Sequence, residues 1–388
     1  MLRKLLVVTI MALLAAAGTV QAQETVKIGL IIPMTGGIAS TGKQIEAAVK
    51  LYMAKFGSTV AGKKIEVILK DDGAVPDNTK RIAQELIVND KVSFIAGFGV
   101  TPTALAAAPL ATQAKVPLVV MAAGTSIITE RSPYIVRTSF TVPQSSVIIA
   151  DWAAKNNIKK VVTMVSDYAP GMDAQNSFKE RFTQGGGTIS AELKVPLANP
   201  DFAPFLQRAR DASPDAIFIF VPAGQGGTFM KQFTERGLDK AGIKVIGTGD
   251  VTDDDLLINM GDAVLGTVTA HMYSASHPSA ANKEFVAAFK KANNGLRPNF
   301  MAVGGYDGMH LIYEALKKTK GSTDGDALIN AMRGTSWESP RGPISIDPRT
   351  RDIVQNIYIR KVERIGGELY NTEFVTFNAV KDPVKEKN

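Results

Sequence analysis

The chain alternates short apolar runs with longer stretches in which apolar residues recur every three or four positions. The first run, Thr25–Ile32, reads TVKIGLII and predicts a buried strand. Over 42–56 the apolar residues have helical spacing, which predicts a helix with one face packed on a sheet. Strands at 64–69 and 92–96 and helices at 77–89 and 101–113 continue the pattern. This alternation predicts a parallel sheet with right-handed crossovers.

A second series of strands and helices begins after an irregular stretch at 127–140, and three successive helices lie near the end. We therefore expect an α/β fold with two doubly wound parallel-sheet lobes and a cleft between them as the default site. Three crossovers, near Phe140, Thr269 and Asp347, would form the hinge. Residues 23–140 and 269–347 are predicted to form the first lobe, and 141–268 and 348–388 the second.

Residues 94–125 carry the most informative local pattern. A short strand leads through a glycine-containing turn at 97–100 into Thr101-Pro102 and an alanine-rich helix. Threonine is a favoured N-cap and proline a favoured first helical residue, so Thr101 is predicted to cap this helix. A helix start offers unpaired backbone N–H groups and a partial positive charge, which suit an anion. A carboxylate ligand is expected here.

Composition narrows the setting of the protein. Arg3 and Lys4 precede an apolar run at 5–17, and Val20-Gln21-Ala22 offers a cleavage site, so residues 1–22 are predicted to be a secretory signal peptide. The chain has 388 residues and no cysteine, which excludes disulfides, thiolate metal sites and an acylated cysteine anchor. The formal charge of +7 is scattered, which argues against a nucleic-acid surface. We expect an untethered periplasmic protein.

The chain resembles the branched-chain amino-acid binding proteins of ABC importers, which have the type I periplasmic binding-protein fold. The matching segments cover nearly the whole mature chain: KIGLIIPMTGGIASTGKQIEAAVKLYMAK, VTPTALAAAPLATQAKVPLV, MAAGTS, SDYAPGMDAQNSFKERFTQGGG, DFAPFLQRARDASPDAIFIF, GGYDGMHLIYEAL and SPRGPISIDPRTRDIVQNIYI. The resemblance implies two lobes that close on a ligand, delivery to an inner-membrane ABC permease, no catalysis and no cofactor. A monomer is expected.

The resemblance also assigns ligand contacts residue by residue. A hydroxyl residue after the third strand and backbone groups after the fourth would hold the ligand carboxylate, and these positions fall on Thr101 and on Ala122, Ala123, Gly124 and Thr125. The second lobe would contribute a tyrosine, Tyr168, and an acidic group for an ammonium, Asp250. Purely structural roles remain possible alternatives: Thr101 and Asp250 could be helix caps, and Tyr168 could be a half-buried aromatic residue of a loop.

Two aromatic positions of the family fall near Thr41 and within 222–225, where no aromatic stands, so the side-chain pocket is expected to be wider. Phe98 is a candidate wall residue. The expected ligand is an aliphatic or branched-chain amino acid, and the alternative is an aromatic or other amine-free carboxylate.

Enzymatic alternatives find little support in the sequence. The three histidines form no metal-binding pattern, and no nucleophile elbow or phosphate-binding loop of the G-x-x-x-x-G-K type occurs. We therefore expect neither catalysis nor a metal site.

Overall fold

The first sheet is built from the amino-terminal part of the chain. The computed structural model describes residues 23–386, so the predicted signal peptide lies outside the described residues. The elements up to residue 137 are β1 (Thr25–Ile32), α1 (Ala39–Phe56), β2 (Thr59–Val60), β3 (Lys63–Asp71), α2 (Pro76–Val88), β4 (Phe94–Gly97), α3 (Thr101–Ala114), β5 (Leu118–Val120), a 3₁₀ turn (Ser126–Glu130) and β6 (Ile135–Arg137). The strand order is β2-β3-β1-β4-β5-β6, and every pair except β2–β3 is parallel.

The second sheet follows an irregular connection. Its elements are α4 (Val142–Lys155), β7 (Lys160–Ser166), α5 (Ala169–Gln184), β8 (Thr188–Val195), α6 (Ala203–Asp211), β9 (Ala216–Phe220), α7 (Gly226–Glu235), β10 (Lys244–Thr248), a 3₁₀ turn (Gly249–Thr252), α8 (Asp254–Leu257), a 3₁₀ turn (Asp262–Val264) and β11 (Val268–His271). Strands β7 to β11 pair in parallel, in the order β11-β10-β9-β7-β8. The prediction of two parallel-sheet lobes is confirmed.

The last third of the chain serves both sheets. Its elements are α9 (Ala280–Ala292), α10 (Phe300–Lys318), α11 (Gly325–Met332), β12 (Ser336–Ser339), β13 (Gly342–Ile346), β14 (Ile353–Ile365) and β15 (Glu368–Val380). Helix α10 packs on α1 of the first lobe. A side chain at Gly304 of this helix would lie 2.1 Å from the Met121 carbonyl, so glycine permits the close approach.

Strands β12 to β15 extend the second sheet through antiparallel pairs. Strands β12 and β13 lie within the range predicted for the first lobe, yet they hydrogen bond toward β14 in the second sheet. The lobe boundaries stay a prediction. The three successive helices predicted near the end correspond to α9, α10 and α11. Strands β12 and β15 were not among the predicted strands.

The core and the connections border a space between the lobes that can hold a ligand. Apolar side chains of both lobes are buried beneath the helices, and the connection after β6 runs directly into α4. Within residues 23–386, none of the helices has the length and apolar character needed to cross a membrane. The carboxyl ends of β4, β5, β9 and β10 carry the loops that face the space between the lobes.

Candidate functional site

A cavity of about 40 Å³ lies between the two lobes. Its walls come from loops that follow strands, from the starts of α3, α4 and α5, and from residues of α1 and α10. The lining residues are Ile38, Thr41, Gly99, Val100, Thr101, Ala122, Ala123, Gly124, Phe140, Val142, Tyr168, Pro170, Phe220, Pro222, Ala223, Asp250 and Met301. Asp250 is the one ionisable acid among them, and they include no lysine, arginine or histidine.

Thr101 stands at the first-lobe wall as the first residue of α3. The prediction that it caps the helix is wrong by one position, since Val100 is the N-cap and no side chain caps this end. The Thr101 hydroxyl instead lies 2.6 Å from the Thr125 hydroxyl, and both residues are buried. The two threonines follow the neighbouring parallel strands β4 and β5, which brings them together across 24 positions.

The segment 122–125 is held from behind by Arg137. The guanidinium donates to the Ala123 carbonyl at 3.1 Å and to the Thr125 carbonyl at 2.7 Å. It also pairs with Asp352 at 2.8 Å, and both side chains are buried. Because the N–H of a trans peptide points away from its own carbonyl, the Gly124 N–H is directed away from Arg137.

Backbone donors therefore remain at the first-lobe wall. Among the described residues, the N–H groups of Thr101 and Gly124, which line the cavity, donate to no acceptor, and neither does that of Thr125 behind them. A buried, unpaired N–H is costly, and a helix start with such groups attracts anions. Gly124 also keeps the wall open, since a Cβ there would lie 3.1 Å from Phe140 and from Val142. The wall can accept a carboxylate without a lysine or arginine.

Aromatic rings form the sides of the cavity. Tyr168 precedes α5 and is half-buried, and its ring stacks on Phe220 with centroids 6.1 Å apart. Phe140 comes from the connection between the lobes and packs edge-on against Phe300. Burial, together with the nearby Asp250 charge, raises the pKa of the Tyr168 hydroxyl well above its ordinary value. At neutral pH Tyr168 is thus a neutral donor.

Asp250 stands on the second-lobe wall in the 3₁₀ turn after β10, and only 4% of its surface is exposed. Its Oδ2 accepts a hydrogen bond from the Thr248 hydroxyl at 2.9 Å. Burial raises the pKa of Asp250 to about 6, although Thr248 and the Arg360 guanidinium oppose the shift. The helix-cap interpretation finds no contact, because Asp253 is the N-cap of α8 and no side chain caps that end.

Six of the eight predicted site residues line this cavity, namely Thr101, Ala122, Ala123, Gly124, Tyr168 and Asp250. Thr125 lies behind the wall and contacts it through Thr101. The Phe98 ring lies elsewhere: it is fully buried in the apolar cluster that includes Ile82 and Ala104, so it forms no wall of the cavity.

Sequence reasoning missed the residues that give the cavity its aromatic character and its support. Phe140 falls in a stretch without periodicity, and Phe220 ends an apolar strand where it looks like any core residue. Arg137 gave no signal because its partner Asp352 is 215 positions away.

Comparisons with known proteins agree with this architecture. A family model described as periplasmic binding protein matches residues 25–368. The chain is 42% identical to Leu/Ile/Val-binding protein homolog 6 of Brucella melitensis biotype 1, over 98% of each chain.

Two solved structures with bound ligands are also similar. One is a solute-binding protein of an ABC transporter from Rhodopseudomonas palustris BisB5 in complex with 3,4-dihydroxybenzoic acid. It is 78% identical, with a TM-score of 0.92 and coverage of 93% of this chain and 99% of that one. Another, from Rhodopseudomonas palustris HaA2 in complex with p-hydroxybenzoic acid, is 42% identical, with a TM-score of 0.91 and coverage of 94% and 100%.

Proposed function

The chain belongs to the periplasmic binding protein family, and we propose that its ligand is an aromatic carboxylate. The protein is a periplasmic solute-binding protein of an ABC transporter, with the type I periplasmic binding-protein fold. It binds a small molecule and delivers it to a permease. The family consists of binding proteins rather than enzymes.

One observation carries the proposal: the cavity has aromatic sides and an anion-binding end without a cation. Phe140, Tyr168 and Phe220 offer flat apolar surfaces to a ring. The unpaired N–H groups and the Thr101 hydroxyl are suited to a carboxylate. A benzoate-like molecule presents these two features, a ring and a carboxylate, at opposite ends.

Ligand contacts are assigned on the same basis. Thr101 and the backbone of 122–124 would bind the carboxylate, Tyr168 and Phe220 would pack against the ring, and Asp250 would face the far end. Thr125 and Phe98 would support the first-lobe wall from behind. The two similar structures named above hold hydroxylated benzoic acids, which supports the proposed class of ligand.

An aliphatic or branched-chain amino acid is the second candidate ligand. Asp250 is an acid at the cavity wall and would pair with an ammonium. The similar Brucella protein is named for leucine, isoleucine and valine. Against this candidate, three of the lining side chains, Phe140, Tyr168 and Phe220, are aromatic and suit a flat ring.

Isothermal calorimetry tests the proposal directly. The purified, ligand-free protein would be titrated with 4-hydroxybenzoate, 3,4-dihydroxybenzoate, benzoate, leucine and 4-methylpentanoate. We expect at least one aromatic acid to bind more tightly than leucine by tenfold or more. Tighter binding of leucine than of every aromatic acid would refute the proposal and favour the amino-acid alternative.

We further propose that the chain is cleaved before Gln23, that it is released without a lipid anchor, that it is a monomer and that it closes about three crossovers. The absence of cysteine from the sequence supports release without a lipid anchor. The connections between the two sheets near 138–141 and 272–279 support closure about two of the three crossovers.

A further inference from the structure

We propose that Asp250 is the receptor for a hydroxyl group on the ligand ring, and that it selects acids hydroxylated opposite the carboxylate. The inference rests on the proposed function, because it assumes an aromatic carboxylate in the cavity. The inference gives the Asp250 carboxylate a neutral hydrogen-bond donor, the O–H on the ligand ring, in place of the ammonium of an amino acid.

The side-chain hydrogen bonds of Asp250 leave one oxygen for a ligand. Oδ2 accepts from Thr248 and the residue's own backbone N–H also bonds to the carboxylate, whereas Oδ1 accepts from no other side chain of residues 23–386. Because Asp250 lines the cavity, this oxygen can accept a bond from within it. A buried carboxylate is costly unless its oxygens accept hydrogen bonds.

The charges around the cavity favour a neutral donor that meets an ionised acceptor. Arg360 is the cation that acts on Asp250, and it is already engaged with Asp254 at 3.7 Å and with the Gly249 carbonyl at 3.3 Å. The ligand carboxylate would occupy the first-lobe wall, on the opposite side of the cavity from Asp250. A ring hydroxyl then supplies Asp250 with a donor and adds no further charge.

The geometry of the two walls also sets the ring position. The carboxylate donors stand on the first lobe and Asp250 stands on the second, so a ring between them directs its para and meta positions at Asp250. An ortho hydroxyl lies beside the ligand's own carboxylate and cannot reach the opposite wall. The structure therefore assigns a preference for para-hydroxyl over ortho-hydroxyl acids.

Matched ligands test this on the unmodified protein. Calorimetry would compare 4-hydroxybenzoate with 4-fluorobenzoate, which has a similar size and no donor, and with 2-hydroxybenzoate, its isomer. A hydrogen bond to a charged group is worth roughly tenfold to a hundredfold in affinity, so both controls should bind at least about tenfold more weakly. Equal affinity for 4-hydroxybenzoate and 4-fluorobenzoate would overturn the inference while leaving the proposed function in place.

A variant ties the preference to the residue. Asp250→Ala should bring the ratio of the dissociation constants of 4-fluorobenzoate and 4-hydroxybenzoate close to one, and the exposed Asp239→Asn should leave that ratio unchanged. A preference that persists in folded Asp250→Ala refutes the assignment. If the variant does not fold, the ligand comparison decides alone. If no aromatic acid binds the wild-type protein, the proposed function itself fails.

Discussion

Replacing Asp250 by asparagine should stabilise the ligand-free protein at neutral pH. Asparagine keeps an oxygen that can accept from Thr248, and it removes a charge that is buried to all but 4%. The fold raises the pKa of this carboxyl from 3.8 to about 6 because burial disfavours the charged form. A raised carboxyl pKa means that the folded protein prefers the protonated acid, so ionisation destabilises it.

The sign and size of this stability change follow from the linkage between proton binding and folding. The protonated form contributes its full stability below pH 3.8, and this contribution is lost as the pH rises through about 6. The variant should gain about 3 kcal/mol over wild type at pH 7.5 and only about 0.5 kcal/mol at pH 4. In a protein of this size the gain at neutral pH corresponds to a rise in melting temperature of about 4 °C.

Scanning calorimetry of both proteins between pH 4 and pH 8 would measure this. Asp239→Asn, which removes an equal charge from the exposed surface, is the matched control and should shift the melting temperature little at any pH. An Asp250→Asn variant that is no more stable at pH 7.5, or whose gain does not shrink on acidification, would refute the reasoning.

Three further outcomes are expected. Thr101→Val should weaken binding of 4-hydroxybenzoate roughly tenfold to a hundredfold in calorimetry without unfolding the protein, since one donor to the carboxylate is lost; unchanged affinity would remove Thr101 from the site. Arg137→Met should lower the free energy of unfolding in urea by about 3 kcal/mol or more, because it removes one of the two cations paired with buried Asp352, the other being Lys385, and leaves the Ala123 and Thr125 carbonyls without their donor. Arg181→Met, at a half-exposed pair, should cost about 1 kcal/mol or less, and similar losses in the two variants would contradict this. Mass spectrometry of the periplasmic protein should find Gln23 at the amino terminus and no lipid, and a retained Met1 would contradict the signal peptide.

The first lobe was the easier part to predict from the sequence. Strand β4 and the part of β1 after Lys27 are apolar because they are buried on both faces, and these strands alternate with helices of clear periodicity. Strand β6 was missed because it has three residues and lies within an irregular stretch. Strand β15 was missed for another reason: it pairs only with β14 and few of its residues are fully buried, so it needs no apolar run.

The residues of the site likewise fall into those that the sequence predicts and those that it does not. Residues at the carboxyl ends of strands could be predicted, because a parallel sheet gathers those ends at one edge. Phe98 illustrates the limit. Its position in the turn after β4 is right, but a positive φ of 66° accompanies a ring directed into the core rather than toward the cavity, and side-chain direction is not encoded in strand order. Arg137 and Asp352 meet only through the tertiary fold.

Asp250 connects the stability of the fold with the choice of ligand. A carboxyl whose pKa rises to about 6 is ionised at neutral pH at a cost to the empty protein, and a ring hydroxyl that donates to it offsets part of that cost. The same bond disfavours molecules that lack a donor, because they would leave the charge buried and unpaired. Selectivity at this wall therefore comes from the penalty on the wrong ligand as much as from attraction to the right one. This is why removal of the charge should stabilise the empty protein and relax its preference together.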